Sequence, residues 1–125
     1  MEKKTMTECE LLVMKCIWES VEELSLPDIV MQVNERYGKT WKPQTVSTFL
    51  ARLVKKGFLE MYRKGRLFLY HAKVMEKDYR GDIIKKCVDF WSGSDAGLFL
   101  RHLHEERKLK PEEVAKIRKL LDELE

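Results

Sequence analysis

Trp41-Lys42-Pro43-Gln44-Thr45-Val46-Ser47-Thr48-Phe49-Leu50-Ala51-Arg52-Leu53-Val54-Lys55-Lys56-Gly57 is the stretch on which the fold turns. Pro43 suits the first turn of a helix, where a missing N–H costs nothing, and Gly57 suits its end. Between them Val46, Phe49, Leu50, Leu53 and Val54 recur at i, i+3, i+4, i+7 and i+8, which predicts a helix over about 43–56 with one inward face. At about 100° per residue, Gln44, Thr48, Ala51 and Lys55 fall opposite that stripe, with Thr45, Ser47 and Arg52 on its flanks. An idle surface helix gains propensity from long Glu and Lys side chains. A run of Gln, Thr, Ser and Ala gains none, but lets a helix approach base edges closely. Gln can bond adenine, Thr and Ala methyls can meet the thymine methyl, and Arg52, Lys55 and Lys56 can reach phosphate or guanine.

Downstream, Phe58-Leu59-Glu60-Met61-Tyr62-Arg63 and Arg66-Leu67-Phe68-Leu69-Tyr70-His71 read as two strands around Lys64-Gly65. Leu59 and Met61 with Leu67 and Leu69 are expected to form one core-covering face. Arg63, Lys64 and Arg66 then stand at the tip, where a wing touches the sugar-phosphate backbone. Upstream, Thr7-Glu8-Cys9-Glu10 is a capping box opening a helix of about 8–20 whose apolar stripe, Leu11, Leu12, Ile17 and Trp18, is expected in the core. Ser25 caps a second helix with Pro27 and Asp28 in its first turn, Ile29, Val30 and Val33 behind them, and Gly38 closing it. This order predicts a mainly α chain: a winged helix-turn-helix domain with a small two-stranded wing over residues 1–73.

Charge supports the same placement. Residues 41–73 hold eight Lys/Arg against one acidic residue, whereas residues 1–41 hold five against eight and residues 74–125 eleven against twelve. The net charge of +3 therefore conceals a local +7, and concentrated positive charge attracts a polyanion by counterion release and steering. The 125 residues, 44% apolar and 36% charged, suit one globular domain with a helical appendage. Met1-Glu2-Lys3-Lys4 opens no apolar h-region and no stretch reaches bilayer length, so a cytoplasmic protein without a membrane partner is expected. Cys9, Cys16 and Cys87 are expected as free thiols. The first two would sit two helical turns apart, roughly 10 Å, too far for a disulfide.

Residues 74–125 read as a helical dimerisation region. Ile83, Ile84, Cys87, Val88 and Trp91 share a helix face ending at Ser92-Gly93, and Ser94 is expected to cap the next helix, which carries Leu98, Phe99, Leu100 and Leu103. After Pro111-Glu112-Glu113, Val114, Ile117, Leu121 and Leu124 follow at 3, 4, 3 spacing with Leu120 alongside. Three short helices cannot bury this surface among themselves, and a two-fold dimer supplies the cover; packing back onto the chain's own winged helix is the alternative. Leu98, Leu103, Val114, Ile117, Leu121 and Leu124 are the dimerisation candidates.

Nothing in the sequence points to catalysis or a resident cofactor. His71, His102 and His104 include no i, i+4 pair, His102 and His104 diverge around a helix, and no phosphate-binding glycine loop or nucleophile motif occurs. Two rival readings are a winged helix used for protein–protein contacts and a thiol- or metal-responsive regulator using Cys9, Cys16 and Cys87. The basic third helix and wing argue against the first; cysteines spread between the first helix and the region after residue 74, without a nearby His, argue against the second.

Taken together, Thr7-Glu8-Cys9-Glu10-Leu11 to Ile17-Trp18, the 41–57 stretch and the Arg63–Tyr70 hairpin resemble the penicillinase-repressor family of bacterial transcription regulators, the BlaI/MecI type, over nearly the whole chain. The resemblance implies a homodimeric repressor whose winged-helix heads bind a palindromic double-stranded DNA operator and block RNA polymerase, with an unidentified sensor or inducer as a further partner. It implies that Gln44, Thr45, Ser47, Thr48 and Arg52 lie in the recognition helix. With Lys42 ahead of it, Lys55 and Lys56 at its end, and Arg63, Lys64 and Arg66 in the wing, they make up the expected DNA-contacting set. The β-lactam-responsive members are cut at an Asn-Phe bond where this chain holds Arg101-His102, and the copper-responsive relatives carry C-terminal Cys-x-Cys pairs where this chain has no cysteine after Cys87. Neither induction mechanism is carried over.

Overall fold

The computed structural model describes residues 5–125, with elements in the order α1 (Glu8–Glu19), β1 (Leu24–Ser25), α2 (Leu26–Tyr37), α3 (Pro43–Lys55), β2 (Leu59–Lys64), β3 (Leu67–Ala72), α4 (Glu76–Ser92), α5 (Ala96–Glu106) and α6 (Pro111–Leu124). α1 opens with the expected capping box: the Glu10 N–H donates to Thr7 Oγ1 at 3.2 Å and the Thr7 N–H to Glu10 Oε1 at 2.9 Å. α2 follows Ser25, whose N–H and hydroxyl both donate to the Asp28 carboxylate, and ends at Gly38. The helices meet in one core, but on α1 Val13, Met14, Cys16 and Ile17 enter it, whereas Leu11, expected inward, is exposed and Leu12 and Trp18 pack at its margin. Val13, Met14, Cys16, Ile29, Val33, Val46, Leu50 and Leu53 are wholly buried, and Leu59, Phe58, Leu24, Tyr70 and Ile17 complete the cluster. At roughly 1.5–3 kcal/mol per buried aliphatic or aromatic side chain, this cluster is the main force holding the helices together.

The sheet is three-stranded, in the order β1-β3-β2, with both pairings antiparallel. β1 has no counterpart in the sequence reading, because two residues show no periodicity; it forms where Leu24 and Ser25 lie against Tyr70 and Leu69. The hairpin register also differs from expectation. The turn at Gly65-Arg66 pairs Lys64 with Leu67, so Leu59, Met61, Arg63, Phe68, Tyr70 and Ala72 share one face while Tyr62, Lys64, Leu67 and Leu69 share the other. Leu67 and Leu69 therefore cannot join Leu59. Leu59 and Tyr70 enter the core, whereas Met61 and Leu67 stand about half exposed where the hairpin extends beyond it.

The chain forms two compact units, the first ending at Tyr79 and the second spanning Arg80–Glu125. The first unit runs past residue 73 because Val74 and Tyr79 pack against its core. Trp18 Nε1 donates to the Val74 carbonyl at 2.9 Å, and the Met6 N–H donates to the Tyr79 hydroxyl at 2.9 Å. The Tyr79 ring lies 5.6 Å from Phe58, edge-on, and 6.0 Å from Trp18, while Lys15 pairs with Glu76.

In the second unit α4 stops at Ser92 and α5 is capped by Asp95, whose carboxylate accepts from the Leu98 N–H at 3.0 Å. Ser94 is not the cap: its φ of +68° is left-handed whereas an N-cap is extended, and its hydroxyl donates to Asp89 instead. At the start of α6, Glu113 accepts two bonds from Arg107 and one from the Lys110 N–H, and the Arg107 guanidinium beside it holds its carboxyl down at about 2. Among the described residues, every buried apolar side chain lies in the first unit. No described helix is long and apolar enough to cross a membrane.

Candidate nucleic-acid interface

α3 is delivered by a polar clasp. The Trp41 N–H donates to Asn34 Oδ1 and its carbonyl accepts from Asn34 Nδ2, both at 3.0 Å, while the Trp41 ring packs 5.1 Å from Phe49 and carries the Lys39 ammonium 5.8 Å above it. Both polar groups of the residue before Lys42 are thus fixed, and Pro43 starts the helix immediately after. At the other end Gly57 adopts φ +88°, a left-handed conformation costly for other residues, and the Phe58 N–H closes onto the Leu53 carbonyl at 3.0 Å.

Between these ends α3 divides into two faces. Val46, Leu50 and Leu53 are wholly buried and Phe49 half-buried, but Val54, expected inward, lies 37% exposed at the edge of the stripe. Lys42, Gln44, Thr45, Thr48, Ala51, Arg52 and Lys55 are exposed and Ser47 is half-buried. Thr48 Oγ1 donates to the Gln44 carbonyl at 3.0 Å, so its one hydroxyl proton is held within the helix and the side chain offers its methyl, with no free donor, to a partner.

The wing supplies the cations. Arg63, Lys64 and Arg66 are all exposed, and Gly65 at φ +64° makes the two-residue turn. Arg63 is pre-oriented: its Nε donates to the Gly65 carbonyl at 2.9 Å and its guanidinium stands 6.0 Å above the exposed Phe68 ring.

Lys56 departs from expectation. Its Nζ donates to Glu10 Oε1 at 2.6 Å, to Glu10 Oε2 at 3.1 Å and to the Thr5 carbonyl at 3.1 Å, which withdraws it from the cationic face. Burial works against the Glu10 charge, yet the Lys56 ammonium and the Thr7 N–H outweigh it and hold the carboxyl below its ordinary value. Sequence reasoning saw Glu10 only as a cap. It gave no role to Asn34 or Lys39, because a clasp across a loop leaves no periodic trace.

The dimerisation candidates lie in the second unit. Leu98, Leu103, Leu121 and Leu124 are exposed, as are Trp91 and Leu120, while Val114 and Ile117 are half-buried. Trp91, Phe99, Leu103 and the flanking His102, Glu105 and Glu106 line an open groove of about 470 Å³. Cys9, Cys16 and Cys87 are free thiols, and burial pushes that of Cys16 up.

Comparison with known proteins agrees with this geometry. The sequence profile of the penicillinase repressor family matches residues 6–123. The penicillinase repressor of Bacillus licheniformis is 30% identical over 118 residues, covering 94% of this chain and 89% of that protein. The methicillin resistance regulatory protein MecI of Staphylococcus aureus (strain N315) is 28% identical over 125 residues, 98% of each. Among solved structures, the DNA-binding domain of the repressor BlaI superposes with a TM-score of 0.53 at 33% identity, over 62% of this chain and 92% of that one. The monomeric form of Bacillus licheniformis BlaI in complex with the blaP half-operator gives 0.52 at 33% identity, with the same coverage. With a family profile that spans all but a few terminal residues and a winged-helix fold to match, this chain belongs to the penicillinase repressor family.

Proposed function

We propose that the protein is a cytoplasmic, homodimeric transcriptional repressor that binds a palindromic DNA operator, with the unit ending at Tyr79, six residues beyond the expected boundary at 73, as the reading head and Arg80–Glu125 as the dimerisation region. The observation that carries this reading is the exposed Gln44, Thr45, Thr48 and Arg52 face of α3, on the same compact unit as the exposed cations Arg63, Lys64 and Arg66 of the wing tip. α3 enters the major groove, where these side chains meet base edges, while Lys42, Lys55, Arg63, Lys64 and Arg66 neutralise phosphates. One head serves one half-site, as in the BlaI complex with a half-operator. Leu98, Leu103, Val114, Ile117, Leu121 and Leu124 join two copies, and repression requires only that the bound dimer occlude the promoter, without cofactor or catalytic residue.

Selection of duplexes from a randomised library, followed by footprinting and titration over salt, tests the reading. A palindrome with half-sites about one helical turn apart, or a small multiple, is the expected product. Affinity should fall steeply with salt, and each Ala substitution at Lys55, Arg63, Lys64 or Arg66 should reduce the slope by about one. A salt-independent affinity would sink it.

A further inference from the structure

The Glu10–Lys56 pair joins α1 to the end of α3 through the most buried charged group among the described residues. Glu10 has no exposure, whereas the Lys56 side chain is 26% exposed, and the three bonds of the Lys56 ammonium gather Glu10 and the Thr5 carbonyl at the C-cap of α3. Glu10 Oε1 also accepts from the Thr7 N–H, so α1's own N-terminal turn is tied into the same knot. Beside the pair lies the common apolar core, to which α1 contributes Val13, Met14 and Ile17 and α3 contributes Val46, Leu50 and Leu53. Apolar burial is non-directional, whereas a charge pair with fixed acceptors adds a directional constraint at one defined point of the contact. Replacing both members of a buried ion pair by well-packed apolar groups is often neutral for stability, so stability alone does not account for such a pair.

We propose that Glu10 and Lys56 are positioning residues for sequence reading: together they fix the C-terminal end of α3, and so the angle at which its polar face meets the bases. This rests on the DNA-reading role given to α3 above. Lys56 acts on the operator through Glu10 and not by touching phosphate, which separates it from Lys55, its neighbour in sequence.

The test uses the full-length protein with the duplex that the parent selects from a randomised library and a scrambled duplex of the same length and composition. The variants are Lys56→Met, Glu10→Gln and the double variant, in which the amide of residue 10 still accepts from Thr7 and no unpaired charge is buried. All three should lose discrimination between the two duplexes by roughly tenfold or more, the order of one mismatched base pair. The salt slope of Lys56→Met on the scrambled duplex should equal the parent's, whereas Lys55→Ala should lower it by about one. Thermal melting of the double variant shows whether the head remains folded, and in that background the loss of discrimination should persist. A slope reduced by about one in Lys56→Met, or parental discrimination in a folded double variant, overturns the proposal. A parent that prefers neither duplex overturns the DNA reading, and this inference with it.

Discussion

Thr48 illustrates how one hydrogen bond changes what a side chain offers. Because its hydroxyl proton is held by the Gln44 carbonyl, it presents a methyl and no free donor, and the methyl suits the thymine methyl in the major groove. Thr48→Val, which keeps that methyl, should hold operator affinity. Thr48→Ser should lose about 0.8 kcal/mol, roughly fourfold, the cost of one buried methyl, with binding to scrambled duplex unchanged in both; titration against the two duplexes checks it. Glu10 makes a different prediction. Its carboxyl lies below the ordinary 4.5 in the folded chain, so the stability it contributes is fully present above that value and is lost as pH falls through the folded value. The stability gap between the parent and Glu10→Gln should therefore be constant above about pH 5.5 and close progressively below about pH 4.5. A gap that widened under acid would show that the carboxyl is raised, and thermal unfolding across pH reads it directly.

Among the elements, the end of α3 carries the sharpest expectation. Gly57 is left-handed at φ +88°, and a Cβ built there meets nothing within 4 Å, so the cost of a side chain is purely that of the backbone. Gly57→Ala should destabilise the head by roughly 1–2 kcal/mol, and Gly57→Asn by less, since Asn tolerates this conformation; a denaturant midpoint measures both. If Ala proves neutral, the turn has shifted and the start of the wing with it. What the sequence reveals at this scale follows from period. α1, α2 and α3 each repeat their apolar positions over several turns, and their caps are local, so all three are legible. β1 is two residues long and exists only through Tyr70 and Leu69. A two-residue turn at Lys64-Gly65 or at Gly65-Arg66 leaves Leu67 and Leu69 on the face of Tyr62 and Lys64 alike; sharing a face with Leu59 would require a loop of odd length, so apolar alternation alone misassigns them. Lys56 lies 46 residues from Glu10, so its charge reads as part of the basic run until the fold brings the pair together.

For the molecule as a whole, the contrast between the two units argues for association. The first completes a core of thirteen apolar side chains, while the second buries none and leaves Trp91, Leu98, Leu103, Leu121 and Leu124 in water. Unpartnered apolar surface of this kind on so short a helical region calls for a protein surface to cover it, and a second copy of the same region does so symmetrically. In the proposed dimer each head makes half the contacts to a palindrome, so the interface contributes to affinity by linking two weak half-site events. Ile117→Asp with Leu121→Asp would place two carboxylates against apolar partners, a cost large enough to prevent association. The double variant should sediment as a monomer and lose affinity for the palindrome by two orders of magnitude or more, on the order expected for losing a linked second site. Its head should melt as the parent's head does, because none of the thirteen core residues lies beyond Tyr70. Analytical ultracentrifugation beside operator titration decides the matter: a variant that stays dimeric, or a monomer that holds the palindrome as tightly as the parent, removes the division between a head that reads and a tail that joins.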